Sequence, residues 1–232
     1  MPQENVKDLG VYMSSSGTFA YHIDVVLAKV KTLTSWALRN FHTRSTEFIL
    51  KIWKSIVLPR IDYGSQLWTP YKKADIQSLE MAQKSFLKKS VQLYQFSYWD
   101  ILKLVGLYSI QRRHERYRII YLWCILEGLV PNPKPHQIIE KVHPRLGRTC
   151  AVPIVKAGPY QQIVFSSFCV QGALLFNSIP KELRNMRNCE KAVFKAALDK
   201  HLRTVPDEPQ IPGYTASHQE DSNSLLDMIR SS

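Results

Sequence analysis

LKIWKSIVLPRIDYGSQLW, residues 50–68, carries two tryptophans, a tyrosine and a run of aliphatics. Ile49, Ile52, Ile56, Tyr63 and Leu67 fall on one helical stripe, and Leu50, Trp53, Val57, Ile61 and Trp68 on the next. Two adjacent apolar stripes make a wide face, which predicts a helix buried on most sides, with Trp53, Tyr63 and Trp68 in the core. Pro59 lacks the N–H that would bond the Ser55 carbonyl, so the helix is expected to kink or split there. Gly64 permits close approach of another backbone.

Working outward, residues 5–13 read as a short strand broken by Gly10, with no partner nearby for its backbone donors and acceptors. Thr18 is placed to cap a helix over 19–40, on the spacing of Phe19, Ile23, Val26, Val30, Leu33 and Ala37. Residues 43–46 open the central helix. A third helix is expected over 74–89, with Ile76, Leu79, Ala82 and Phe86 on one face and Lys84, Lys88 and Lys89 on the other. Ser97 caps a short helix over 98–105 that Gly106 ends, and Ser109 caps a long one to about residue 126. That helix bears Arg112, Arg113, Arg116 and Arg118 in its first half and is apolar in its second.

Pro131, Pro133 and Pro135 mark a boundary, and the text to about residue 159 is loop-like, with Lys134, Lys141, Arg145, Arg148 and Lys156. Residues 163–168 read as a strand or as a helix start. Residues 170–179 suit a helix, and 189–205 are amphipathic through Val193, Phe194, Ala197, Leu198 and Leu202. Beyond Pro206 the composition turns to Pro, Ser, Gln and acids, which predicts disorder with a short helix at 225–229. The expected fold is mainly α: a helical bundle with a short N-terminal strand and a smaller mixed, mostly helical C-terminal region. The expected segments are 1–17, 18–130, 131–204 and a disordered acidic tail over 205–232.

The 232 residues hold 31 Lys and Arg against 19 Asp and Glu, a net charge of +12. The tail carries five acids and one base, so the rest of the chain is more basic still. Such an excess favours a polyanionic partner, nucleic acid before membrane lipid. Cys124, Cys150, Cys169 and Cys189 are scattered, with no CxxC or Cys/His knuckle. They fit free thiols in a reducing compartment and no structural zinc, hence an intracellular protein of nucleus or cytoplasm. The start has no secretory pattern, and the longest apolar run, 119–126, is too short to span a bilayer.

Motifs for chemistry are absent. No carboxylate pair sits on an apolar strand–turn element, as metal-dependent phosphoryl transfer needs. There is no nucleophile elbow, Walker loop, GxGxxG or HExxH. No catalytic residue, cofactor, metal or small-molecule ligand is expected. The basic clusters are the candidates: Lys84, Lys88 and Lys89 as phosphate contacts from one helix face, and Arg112, Arg113, Arg116 and Arg118 on another, with Tyr117 alongside for stacking. A bland reading of both clusters as solvated faces stands beside the functional one.

Several phrases together resemble the C-terminal part of non-LTR (LINE-type, jockey- or CR1-like) retrotransposon reverse transcriptases. They are VKDLGV (6–11), YHID (21–24), WKSIVLPRIDYGSQLW (53–68), LEMAQKSF (79–86), LVGLYSIQRR (104–113) and FNSIPKEL (176–183). In that family the LGV phrase closes the polymerase palm, the helices after it form the thumb that holds template–primer by its backbone, and a connection follows. The resemblance implies a thumb-plus-connection fragment of an RNA-directed DNA polymerase, lacking the catalytic aspartates, whose partners are RNA or an RNA–DNA duplex and the missing palm and fingers. It would supply partners for the lone N-terminal strand. A helical protein-interaction module and a non-functional remnant of a mobile element remain alternatives.

Overall fold

The computed structural model describes residues 5–41, 45–91, 95–209 and 222–230. The fold is mainly helical, as expected. It divides into two compact units, residues 1–111 and 112–232.

The first unit opens with β1 (Asn5–Asp8) and β2 (Val11–Ser14), an antiparallel pair in which Asp8 faces Val11. The expected lone strand is thus a hairpin that pairs with itself. Leu9 and Gly10 both have positive φ (44° and 86°), the two-residue turn whose twist matches the strands it joins. A leucine at such a position is uncommon, and this hid the hairpin from sequence.

Helix α1 (Ala20–Asn40) follows. Thr18 does not cap it; its hydroxyl bonds Ser14 in the preceding turn. Ser45 accepts from the Phe48 N–H and opens α2 (Thr46–Ile52). A π-helical turn, Trp53–Val57, comes next, then α3 (Leu58–Asp62) with Pro59 in its first turn. The wider π turn is where the chain accommodates a proline that cannot donate and whose ring crowds the carbonyl four residues back. Gly64 (φ 66°) ends α3, and α4 (Ser65–Trp68) completes the opening stretch. The split at Pro59 therefore takes the form of a π turn and two short helices.

Trp53, Val57, Leu58, Ile61 and Trp68 are buried, but Tyr63 and Leu67 are each 59% exposed. Tyr63 is not core, contrary to the sequence reading. Its hydroxyl donates to the Leu9 carbonyl at 2.8 Å and ties α3 to the hairpin turn. An aromatic body with a polar tip is suited to this half-wet position.

Helix α5 (Lys73–Val91) packs on α1 and α2, and α6 (Tyr98–Val105) packs on α5. Ser97 accepts from the Asp100 N–H, and Gly106 (φ 64°) closes α6, as expected. The core stacks Trp53 on Phe86, centroids 5.0 Å apart. A buried polar chain crosses it. Trp53 Nε1 donates to Gln83 Oε1 at 3.0 Å, Gln83 Nε2 donates to the Tyr98 hydroxyl, and Tyr98 donates to Glu80. Glu80 also accepts from the Gln111 N–H. In a low-dielectric core each of these groups needs its partner, so the network fixes the register of α5.

The division between units falls within α7 (Ile110–Leu126). This is earlier than the proline cluster at 131–135, because the arginines of α7 are committed to the second unit. There β3 (Glu140–His143) and β4 (Gly147–Cys150) form a hairpin inside the segment read as loop. Arg148 is its anchor, 2% exposed, paired with Glu127 at 2.5 Å and Glu140 at 2.8 Å. Helices α8 (Gln161–Ser166), α9 (Phe168–Ser178), α10 (Lys181–Arg184) and α11 (Lys191–Leu202) follow, so residues 163–168 resolve to the end of one helix and the start of the next, with Ser167 extended between them. Trp123 of α7 stacks flat on Phe194 of α11, centroids 4.4 Å apart.

The chain end is not wholly the free tail that composition suggests. Helix α12 (Leu225–Arg230) packs on α9, with Leu225 fully buried and Met228 6% exposed. The disorder expected for residues 210–221 lies outside the described residues. No helix among the described residues is long and apolar enough to cross a membrane.

Candidate nucleic-acid interface

A basic side chain can serve a phosphate only if its head reaches solvent and is not already spent on an internal partner. The two clusters separate on that test.

The α7 cluster points inward. Arg112 is fully buried, 0% exposed. Its guanidinium donates to the carbonyls of Val205 (3.3 Å), Pro206 (2.8 Å) and Asn223 (3.2 Å), with Glu115 3.6 Å away. Glu115 in turn accepts from the Leu225 N–H at 2.9 Å, at the start of α12. Arg112 is therefore the clasp that fastens the chain end, not a surface phosphate contact. A guanidinium's five donors in a fixed fork suit three separate carbonyls as lysine would not.

Arg116 makes a two-pronged pair with Asp199 of α11, at 2.5 and 2.7 Å. Arg118 is 5% exposed and donates to the Ser166 carbonyl at 3.2 Å; burial pushes its pKa down to about 10. Arg113 is half-buried, lies 5.3 Å from the Tyr117 ring and donates to its hydroxyl. Tyr117 is thus engaged by its own helix. The expected four-arginine surface patch is corrected: Arg112, Arg116 and Arg118 hold the second unit together.

The α5 lysines behave differently. Lys89 is exposed, Lys84 and Lys88 are half-buried, and none has a partner among the described residues. Long aliphatic stems lying on the helix surface with the ammonium in water account for the intermediate values.

The first unit also has a groove that sequence reading missed. Its walls are α1 (His22, Val26, Lys29), the π turn (Ser55, Ile56) and α3 with its end (Pro59, Arg60, Tyr63), and Gly10 of the hairpin turn closes it. The volume is about 530 Å³. A second cavity of about 390 Å³ adjoins through the shared residues Lys29 and Arg60, over Ala28, Thr32 and Leu33. Both cations are exposed, without a partner among the described residues. His22 beside them is 4% exposed; burial, then Lys29, hold its pKa below the usual value, and Nδ1 accepts from the Tyr12 N–H. It adds no charge at neutral pH. Lys29 and Arg60 are 31 positions apart on helices whose packing no periodicity specifies, so only the isolated positive charges were visible in the sequence.

Catalytic groupings are not evident: among the described residues no three of His, Cys, Asp and Glu stand together as a metal site. Burial raises the Cys150 thiol to about 11, which makes it a poor nucleophile. No family model, curated protein or solved structure matches the chain.

Proposed function

We propose that the chain is a non-catalytic nucleic-acid-binding module, a thumb-and-connection piece of the non-LTR reverse transcriptase kind, that holds RNA or an RNA–DNA duplex by its backbone. One observation carries this reading. Helix α5 carries Lys84, Lys88 and Lys89 within six positions, and none of them has a partner among the described residues. The α7 cluster differs, with Arg112, Arg116 and Arg118 tied to groups of the second unit. Unpartnered cations clustered on one helix are what a polyanion neutralises, releasing counterions as it binds.

The test is fluorescence anisotropy of a labelled RNA–DNA hybrid with the full chain between 50 and 200 mM salt. Binding that weakens steeply and log-linearly with salt, with little dependence on sequence, is the expected result. Absence of binding at 50 mM salt would defeat the reading and leave a protein-interaction module or a functionless remnant. A primer-extension assay on the same protein is expected to be blank.

A further inference from the structure

We propose that the groove between α1, the π turn and α3 seats an unpaired nucleotide of a single-stranded RNA or DNA, its base against the apolar wall and its flanking phosphates on Lys29 and Arg60. The inference rests on the nucleic-acid reading and names the strand form and the residues that take it.

Four features carry it. The groove is concave and of a size for one nucleotide, about 530 Å³, whereas a duplex presents a convex backbone that cannot enter it. Its walls supply the apolar groups Val26, Ile56, Pro59 and the Tyr63 ring. Tyr63 is preorganised: the residue is 59% exposed while its hydroxyl is tied to the Leu9 carbonyl at 2.8 Å, so stacking costs little further ordering. The charge at the groove is positive. Lys29 and Arg60 line both cavities, so they sit where the two meet, and no carboxylate is among the described residues that line either one.

The π turn contributes as well. Such turns are uncommon, widen the helix locally and recur at functional sites. Here the turn supplies Ser55 and Ile56 to the groove, and Pro59 directly after it forms part of the same wall. The Ser55 hydroxyl donates to the Lys51 carbonyl, which leaves the wall apolar at that point. An acidic peptide would use the same two cations but has no call on an aromatic face, and the measurements below separate the two.

The experiment compares full-length wild type with Lys29→Gln/Arg60→Gln and Tyr63→Ala by anisotropy, using a 5′-labelled oligouridine 12-mer and, in parallel, a blunt RNA–DNA hybrid. The double variant is expected to lose at least tenfold in oligouridine affinity and to flatten the log–log salt slope by about 1.4, the value for two single-strand phosphates. Tyr63→Ala is expected to lose about tenfold with an unchanged slope, since stacking releases no counterion. Hybrid binding is expected to change less than threefold in either. A 4-thiouridine-substituted strand crosslinked to wild type, which requires no variant to fold, should label the peptide that contains Tyr63. Crosslinks confined to other peptides, or single-strand affinity unchanged in both variants, would overturn the groove while leaving hybrid binding intact. Wild type that binds neither probe, or an oligoglutamate that displaces oligouridine at equal charge, would overturn the nucleic-acid reading itself.

Discussion

Replacing Arg112 by methionine removes the clasp of the second unit while nearly conserving side-chain volume. The guanidinium is fully buried and donates to three carbonyls, at Val205, Pro206 and Asn223. Each charge-assisted bond contributes on the order of 1.5–3 kcal/mol, but desolvation of the cation offsets much of the sum. The better guide is the removal of one partner from a buried ion pair, about 3–5 kcal/mol, because Glu115 is left buried beside an apolar group. Glu115 keeps its bond from the Leu225 N–H, so α12 retains one of its fastenings. The expected loss is therefore about 3–5 kcal/mol, or a fall in the melting temperature of about 10–20 °C for a unit of this size. Urea unfolding with hydrogen exchange by mass spectrometry reads both the amount and the place: amides at 225–228 should exchange fastest relative to wild type. Arg113→Met is the control, since Arg113 is half-buried on Tyr117 and should cost about 1 kcal/mol or less. A loss below about 1 kcal/mol for Arg112→Met, with exchange at 225–228 unchanged, would refute the clasp and return Arg112 to the list of surface contacts.

Gly147→Ala should be severe. The glycine has φ 71°, and a Cβ there would stand 2.6 Å from Asn185 Oδ1, the acceptor of the Arg148 N–H. Strain plus the displaced amide should cost about 2–4 kcal/mol in a thermal melt, and a wild-type melt would contradict it. Stability should also fall with acid. His22 and His201 both have pKa values lowered chiefly by burial, with Lys29 and Arg112 respectively adding to the effect. A lowered folded pKa means the unfolded chain binds protons first, so this contribution is complete above the ordinary histidine pKa of about 6.5 and is lost as pH falls through the folded values. Urea midpoints at pH 7.5 and 5.0 should show the drop, and His22→Gln should reduce it.

Much of the fold could be read from local signals. Periodicity located α1, α5, α7, α9 and α11, and side-chain or glycine caps located the ends of α6, because those signals depend on neighbours within a turn. What escaped depends on distant partners. Tyr63 looked like core because its stripe is apolar, yet its place is set by the Leu9 carbonyl, 54 positions away. Arg112 looked like surface because charge usually is, yet its acceptors lie 93 to 111 positions on. The β3–β4 hairpin escaped for a different reason: EKVH and GRTC have no alternation, since Arg148 is buried as an ion-pair anchor rather than as an apolar residue. The groove could not be read at all, being made by the packing of α1 on the π turn and α3.

The account turns on which cations meet nucleic acid. Acetylation of lysines in the full chain, with and without bound RNA–DNA hybrid or oligouridine, followed by peptide mass spectrometry, reads this residue by residue. Protection is predicted at Lys84, Lys88 and Lys89 with the hybrid and at Lys29 with the single strand, with the lysines of residues 112–232 reacting equally in both states. Protection confined to residues 112–232, or none anywhere at saturating ligand, would contradict it.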